Sequence, residues 1–425
     1  MAKPYNTIGL LDHMGFGNLG DAAIHESFIH NITSRLPKAR LIAFSQNPDD
    51  TRQRHNIAAY PIRRSCPALH KKKPQGAKKS SEGSQLTFLR KRCHMICAIA
   101  ERLGNAGREL AHLVRSYRVV RSLDLLIVSG GGQLCDLWWD QPYNVFKFCM
   151  LAKLSNKPVF LIGVGADLLR GTLSKAFARW TVRLSDYVCF RDVESQEVMR
   201  SLGVKTQTHV CPDPAYAINL PDIKLIQPLA ESRLIVGINP MGFCDSRTWP
   251  RQDAAVYNNY LDSVAYLSSW LLSQNYDIEL FSTDAGVDRY AIDDLRDKLL
   301  ATDSPDAARR VTCSSARNLD ELLCQMARFE FVVTSKFHGV VFSHLLARPV
   351  IALSYMPKID FLMRTVGHER YCLDIEHCDG SALVVAFMCL ARSADDVKRV
   401  SRGVAADYRD RLEGEFDKLF VLLSR

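Results

Sequence analysis

The feature that most constrains the fold is a short apolar run that ends in Gly, Ser, Thr, Asn or Arg and precedes a helical stretch. It recurs at 6–11, 123–128, 158–162, 187–190, 234–238, 277–281, 329–333 and 349–353. Strands that alternate with helices form a parallel sheet covered by helices on both faces. The sequence therefore predicts an α/β fold built from doubly wound parallel sheets.

The length predicts two domains, because a single hydrophobic core stops growing near ~250–300 residues and this chain has 425. Residues 219–232 contain two prolines and little periodicity, which is typical of a linker. We expect an N-terminal α/β domain at 1–218 and a C-terminal α/β domain at 233–425. The hydrophobic and charged fractions, 47% and 24%, are those of globular proteins, so a disordered, collagen-like or coiled-coil chain is excluded.

Location and redox state follow from what the sequence does not contain. It has no apolar run of ~18 residues and its first residues lack the apolar stretch of a signal peptide, so we expect a cytoplasmic protein. Thirteen cysteines are spread through the chain without a CxxC pair or a second half to any Cys/His cluster. We expect reduced thiols and no metal site.

The positive charge is concentrated in one basic segment, residues 63–121, which carries a net charge of +12. The whole chain carries +9, so the remaining residues carry −3. Its first part, 71–84, is polar and predicts a loop, and apolar side chains at helical spacing follow between 86 and 103. Such an amphipathic helix can lie on an anionic membrane or pack on its own domain, and both remain open. We expect no nucleic-acid partner, because the basic residues are not distributed over a whole domain or interleaved with aromatic ones.

Glycine-rich turns follow two of the predicted strands of the first half. One contains Gly17, Asn18 and Asp21 and the other contains Gly131 and Gly132. Glycines let backbone amides approach a ligand, and a helix N-terminus favours an anion, although a tight turn needs glycine for purely structural reasons as well. Neither turn has the spacing of a phosphate loop or a dinucleotide site.

Asn239 ends a strand in the second half and joins the residues of these turns as a candidate for lining a ligand-binding cleft at the strand ends.

The sharpest signal lies at the end of the strand at 329–333, where Lys336, Phe337, His338 and a glycine occupy the turn into a helix. A cation beside an imidazole can bind a phosphate or carboxylate and move a proton. Lys358 follows the next strand and should lie near His338. Arg191 also ends a strand and can bind a carboxylate with its fork, or form a local ion pair with Asp192 at the start of a helix.

Taken together, the order and spacing of these motifs resemble the polysaccharide pyruvyl transferase family. The motifs that carry the resemblance are at 15–21, 129–132, 163–165, 190–195, 212–215, 239–240, 335–338, 349–352 and 355–358. The resemblance implies a GT-B-like arrangement of two domains facing a cleft. It also implies transfer of the enolpyruvyl carbons of phosphoenolpyruvate to two sugar hydroxyls, which gives a pyruvate ketal and releases phosphate.

The resemblance further implies which residues form the site. Arg191, His338 and Lys358 match positions associated with phosphoenolpyruvate in relatives, while Lys336 stands where the family often has Arg and Phe337 where it often has Leu. The donor carries about three negative charges, which three cations would balance. His338 is the candidate acid or base, because imidazole is the side chain best suited to move protons at physiological pH. Phosphoenolpyruvate is a substrate, and no cofactor is expected.

The expected partner is a sugar acceptor such as a lipid-linked oligosaccharide of exopolysaccharide or cell-envelope biosynthesis, met at the inner face of an anionic membrane. Two alternatives remain open. One is a GT-B glycosyltransferase that uses a nucleotide sugar, although the acidic residues after Lys358 have no donor-motif spacing. The other is a non-catalytic binding protein on the same fold, which the replacement of Arg by Lys336 would permit.

Overall fold

The computed structural model describes residues 6–12, 15, 17–64, 107–137, 140–167, 169–221, 233–301 and 309–424. The strands, in chain order, are β1 (Thr7–Leu11), β2 (Arg40–Ser45), β3 (Ala58–Pro61), β4 (Leu125–Ser129), β5 (Leu134–Cys135), β6 (Val159–Val164), β7 (Ala166–Asp167), β8 (Tyr187–Phe190), β9 (His209–Val210), β10 (Ile235–Asn239), β11 (Asp277–Leu280), β12 (Val311–Cys313), β13 (Phe331–Thr334), β14 (Val350–Ser354) and β15 (Cys372–Asp374).

The α-helices are α1 (Leu19–Arg35), α2 (Pro48–His55), α3 (107–121), α4 (Gln141–Leu154), α5 (Thr172–Leu184), α6 (Val193–Ser201), α7 (Ala254–Ser273), α8 (Ala285–Leu300), α9 (Leu319–Met326), α10 (Phe337–Leu345), α11 (Pro357–Thr365), α12 (Gly380–Arg392) and α13 (Ala394–Ser424). Short 3₁₀ helices cover Pro214–Ala217 and Glu369–Tyr371. Within the described ranges, no helix has both the length and the apolar composition that a bilayer crossing requires.

Two parallel sheets organise the chain. The first has the order β3-β2-β1-β4-β6-β8-β9 and the second has the order β12-β11-β10-β13-β14-β15. All of their neighbouring strands are parallel. In each sheet the strand order reverses once, between β1 and β4 and between β10 and β13. Ligands of such sheets bind beyond the carboxyl ends of the strands at these reversals.

The central strands are buried along their whole length, because helices cover both faces of each sheet. Every residue of β4, β13 and β14 is buried. Apolar side chains of α1, of the 3₁₀ helix Pro214–Ala217, of the second sheet and of α13 form one continuous cluster. The core therefore runs from one half of the chain into the other and fixes the two sheet edges against each other.

The last helix returns to the first half. Phe416 of α13 packs edge-on against Phe28 of α1, with ring centroids 5.4 Å apart. Tyr187 donates a hydrogen bond to Glu415, and Arg35 pairs with Glu413. Although α13 belongs to the second half by sequence, it thus holds the first half in place.

The predicted α/β class with doubly wound parallel sheets is confirmed, and each of the eight predicted strand runs contains a strand. Strands of the first sheet lie between residues 7 and 210 and those of the second between 235 and 374. The domain limits themselves stay predictions. Residues 222–232 of the expected linker, and residues 65–106 with the amphipathic stretch of the basic segment, lie outside the described residues.

Candidate active site

The site forms where the carboxyl edges of the two sheets meet. The backbone amide of Leu19, at the start of α1, donates a hydrogen bond to the carbonyl of Thr283 just after β11, at 2.8 Å. The neighbouring residues Asn18 and Asp284 form a β-bridge. The turn that follows β1 is therefore held directly against the turn that follows β11, and the strand ends of both sheets face one another.

Two cations from different halves flank one aromatic ring. The guanidinium carbon of Arg191, which follows β8, lies 4.7 Å from the centroid of the Phe337 ring. The ammonium nitrogen of Lys358 lies 5.6 Å from the same centroid. Lys358 is placed in the first turn of α11 because Pro357 starts that helix. The structure thus brings together Arg191, Phe337 and Lys358, as predicted from their strand-end positions.

Arg191 is almost fully buried, with 6% of its surface exposed, and two carboxylates hold it. Its Nη1 lies 3.4 Å from Oδ2 of Asp213 and its Nε 3.3 Å from Oδ2 of Asp192. Asp192 also caps α6 by accepting a hydrogen bond from the amide of Ser195. The local ion pair considered from the sequence is therefore present. Gly165 makes room for the guanidinium, because a Cβ there would lie 2.5 Å from Nη2.

His338, in the first turn of α10, is pinned between the two halves. Its Nε2 lies 3.8 Å from Oδ1 of Asp213 and forms no hydrogen bond with the described residues. A Cβ on Gly20 would lie 2.1 Å from Nδ1, so the start of α1 presses on the ring and only glycine fits there. Burial alone would favour the neutral form of Asp213. His338 and Arg191 nevertheless hold the pKa of Asp213 below its usual value.

Lys336 is paired with acidic residues of the second half. Its Nζ lies 2.7 Å from Oδ1 of Asp288 and 4.0 Å from Oδ2 of Asp284. Burial raises the pKa of Asp288 to about 6, although Lys336 acts to lower it. The ammonium group of Lys336 is thus paired with a buried carboxylate, and its contact with the donor stays a prediction.

Asn239 belongs to the same buried cluster. Its Nδ2 donates to the carbonyl of Phe281 at 3.1 Å and lies 3.4 Å from Oδ2 of Asp288, and its Oδ1 accepts from Thr334 at 3.1 Å. These contacts tie β10 to its neighbours β11 and β13. Asn239 therefore fastens the edge of the second sheet, whereas we expected it to line the cleft.

The first glycine-rich turn places Asp21 beside His338. Asn18 is the N-cap of α1, with its Oδ1 accepting from the amides of Gly20 and Asp21 at 2.9 and 3.2 Å. Gly17 lies next to the start of α8, where a Cβ would be 3.9 Å from the amide nitrogen of Gly286. Of these turn residues, Asp21 is the one whose side chain remains available to a ligand.

The second glycine-rich turn has a supporting position. The carbonyl of Gly131 accepts from the amide of Gly165 at 2.7 Å, and that of Gly132 accepts from Nε2 of Gln141 at 2.8 Å. The turn thereby fixes the loop whose Gly165 packs against Arg191. Gly131 and Gly132 shape the cleft through the backbone.

An aromatic wall, formed by Phe243, Trp249 and Tyr355, stands beside Lys358. The Trp249 ring meets those of Phe243 and Tyr355 edge-on, at centroid distances of 5.4 and 5.5 Å. The ammonium nitrogen of Lys358 lies 6.0 Å from the Tyr355 centroid. Partly exposed aromatic rings next to polar groups are typical of small-molecule sites, and such rings can stack a sugar.

Sequence reasoning did not select Asp213, Asp284, Asp288 or the aromatic wall as site residues. A signal existed for Asp213, which lies in the motif at 212–215, and for Asp284, which directly follows a predicted strand. Asp288 and Trp249 carry no local signal, because their positions depend on how a helix and a loop pack over the sheet edge. In the described part of the chain, no three Cys, His, Asp or Glu side chains are grouped so as to hold a metal ion.

Comparison with known proteins identifies the family. A sequence model of the polysaccharide pyruvyl transferases matches residues 18–356, which include Arg191, Lys336 and His338. The chain belongs to the polysaccharide pyruvyl transferase family. Among curated relatives of this family member, the amylovoran biosynthesis protein AmsJ of Erwinia amylovora is 22% identical over 302 residues, which are 67% of this chain and 70% of AmsJ. The membership supports pyruvyl transfer in polysaccharide biosynthesis as the general activity.

Solved structures of other proteins have a fold similar to that of this family member. UDP-GlcNAc 2-epimerase from Neisseria meningitidis, bound to UDP-GlcNAc, is 12% identical with a TM-score of 0.59, over 98% of this chain and 99% of that one. A glycosyltransferase from Rickettsia africae is 8% identical with a TM-score of 0.57, over 100% of both chains. At such identities the likeness shows the fold alone, and it confirms the GT-B-like arrangement.

Proposed function

We propose that the chain transfers the pyruvyl group of phosphoenolpyruvate to two hydroxyls of a sugar in a polysaccharide or its lipid-linked precursor. The observation that supports this most is the convergence of Arg191 and Lys358 on the Phe337 ring, beside His338. The donor combines a carboxylate and a phosphate on one carbon. Two cations that contact the same ring are suited to bind those two groups at once.

The proposed reaction balances without an oxidant or a cofactor. The oxygen of one hydroxyl bonds to C2 of phosphoenolpyruvate and loses its proton, while C3 takes up a proton and becomes a methyl group. The bond between C2 and the phosphate oxygen then breaks, and phosphate leaves with the electron pair. The second hydroxyl bonds to C2 and loses its proton, which completes the ketal. His338, oriented by Asp213, moves a proton in this sequence.

The contacts of the acidic residues speak against a nucleotide-sugar donor. Glu376 is bound by Arg251 at 2.7 and 3.1 Å. Asp374 accepts from the amide of Glu376 at 2.7 Å, and Asp360 accepts from the thiol of Cys372 at 3.4 Å. Each of these carboxylates thus has a local partner. The second alternative, a non-catalytic protein, is suggested by Lys336 standing where the family often has Arg. This replacement is weak support for it, because Lys336 pairs with Asp288.

The acceptor part of the proposal includes a lipid carrier and an anionic membrane surface. The described end of the basic segment is α3, which exposes 62% of Leu110 and 43% of Val114, one helical turn apart. Arg115 and Arg118 are exposed on the same helix. Exposed apolar side chains among cations favour an interfacial position, with ~1 kcal/mol for each cation near the surface.

Competition binding tests the donor. We expect phosphoenolpyruvate to bind in the presence of chelator and not to be displaced by equimolar UDP-GlcNAc. Lys358→Met should weaken the binding of phosphoenolpyruvate by roughly 2–4 kcal/mol, as expected for the loss of a desolvated charged contact. Lys205→Met, which removes an exposed lysine far along the first half, is the matched control. Tight binding of UDP-GlcNAc with no binding of phosphoenolpyruvate would contradict the proposal.

A further inference from the structure

Asp21 is a carboxylate in the first turn of α1, near enough to His338 to feel its charge, and it is not the cap of that helix. Asn18 already caps α1, so the side chain of Asp21 is not needed to start the helix. It accepts no hydrogen bond from the described residues and is only partly buried. Gly20 touches the His338 ring, which places the Asp21 side chain, one residue on, at the same junction of the two halves.

Four charged or titratable groups from four elements act on this carboxylate. Asp12, after β1, and Asp284, before α8, favour its neutral form, while His338 of α10 and Lys358 of α11 favour its anion. Burial and the two carboxylates prevail, and the pKa of Asp21 is raised to about 7. The two cations that act on Asp21 are also the groups proposed to meet the donor.

We propose that Asp21 is the acid of the reaction, bound as a neutral carboxyl group in the donor complex and giving its proton to C3 of phosphoenolpyruvate. The proposal rests on the proposed function above. As the first hydroxyl oxygen bonds to C2, the electron pair of the C2–C3 double bond takes the Asp21 proton, which leaves a carboxylate. His338 accepts the hydroxyl proton, and its Nε2 faces Asp213, which stabilises the resulting imidazolium.

The different roles of Asp21 and His338 follow from the negative charge that the donor brings to the site. Bringing a trianion to the site disfavours a further negative charge, so the Asp21 carboxyl group, partly neutral before binding, becomes largely neutral after it. The addition needs two titratable groups. One, the carboxyl group, gives a proton to carbon, and the other, the imidazole, takes a proton from oxygen.

Calorimetry with phosphoenolpyruvate alone tests the protonation. Titrations at pH 7.5 in buffers of different ionisation enthalpy report the protons taken up on binding. We expect wild type to take up roughly half to one proton more per donor than Asp21→Asn. Asp49→Asn, the same change at an exposed first-turn position of α2, should behave as wild type. Equal uptake by wild type and Asp21→Asn would overturn the inference. If wild type does not bind phosphoenolpyruvate, the proposed function itself fails.

A measurement without ligand tests the same proton on Asp21 even if Asp21→Asn binds phosphoenolpyruvate differently from wild type. A raised carboxyl pKa means that the folded state holds a proton that the unfolded state has lost, so stability falls as pH rises between about 4 and about 7. In urea unfolding, the folding equilibrium of wild type should therefore fall relative to Asp21→Asn by up to about 10³-fold across that window. A difference that does not change with pH would overturn the inference.

Discussion

Replacing Lys336 by methionine separates a structural role of this lysine from a role in binding the donor. Its ammonium lies 2.7 Å from Asp288, whose side chain is fully buried, while 16% of the lysine side chain is exposed. Methionine keeps most of the side-chain volume and removes the charge. Breaking a buried pair by removing one partner costs about 3–5 kcal/mol, because the other charge is left uncompensated.

The cost should depend on pH in a defined direction. The pKa of Asp288 is about 6 with Lys336 present, so near pH 5 the carboxyl group is largely neutral in wild type and the pair contributes little. Above pH 6 wild type has the ion pair, whereas the variant must protonate Asp288 or bury its charge. We expect the loss of unfolding free energy to grow from about 1 kcal/mol at pH 5 to about 4 kcal/mol at pH 8.

Urea unfolding at both pH values, combined with titration of phosphoenolpyruvate, makes the test. Lys336→Met/Asp288→Asn should recover most of the stability and remove its pH dependence, since no buried charge is left. Lys298→Met, which breaks the exposed pair with Asp262, should cost about 1 kcal/mol or less. If Lys336→Met is as stable as wild type at pH 8 but binds phosphoenolpyruvate poorly, Lys336 contacts the donor and our reading of the pair is wrong.

Three further outcomes follow from the site. His338→Ala should lower kcat by roughly 10²–10⁴-fold, with a melting temperature close to that of wild type, and turnover near the wild-type value would remove His338 from the mechanism. Turnover should survive chelator, and a loss restored by magnesium would show a metal requirement. Neutralising the lysines at 71–73, 78 and 79 should reduce binding to anionic liposomes in a salt-dependent way, and unchanged binding would exclude a membrane role for them.

Much of the fold could be predicted because the strands at the sheet centres are apolar on both faces and end at turn residues. The strands not predicted are mostly short edge strands, such as β3, β12 and β15, whose few residues carry little pattern of their own. Pairing with a longer neighbour makes them strands. The exception is β2, whose run at 40–45 ends in Ser and fits the same pattern, so it could have been predicted.

Only the site residues that closely follow a strand could be predicted from the sequence. His338 and Lys358 follow neighbouring parallel strands, which bring them to one edge of the second sheet, and Arg191 follows a strand of the first sheet. The partners of these residues come from elsewhere: Asp213 meets His338 across the junction of the halves, and Asp288 meets Lys336 from a neighbouring helix. Those contacts depend on how the two sheets and their helices pack, which no local pattern encodes.

The most direct test of the proposed activity is the fate of the donor carbons. Purified protein is incubated with ¹³C-labelled phosphoenolpyruvate and lipid-linked oligosaccharides extracted from the organism that makes it, and the products are followed by mass spectrometry and phosphate release. We expect one oligosaccharide to gain a labelled pyruvate ketal, with one phosphate released for each ketal and both formed far more slowly with His338→Ala. Transfer of a sugar from an added nucleotide sugar, with the label left in phosphoenolpyruvate, would contradict pyruvyl transfer.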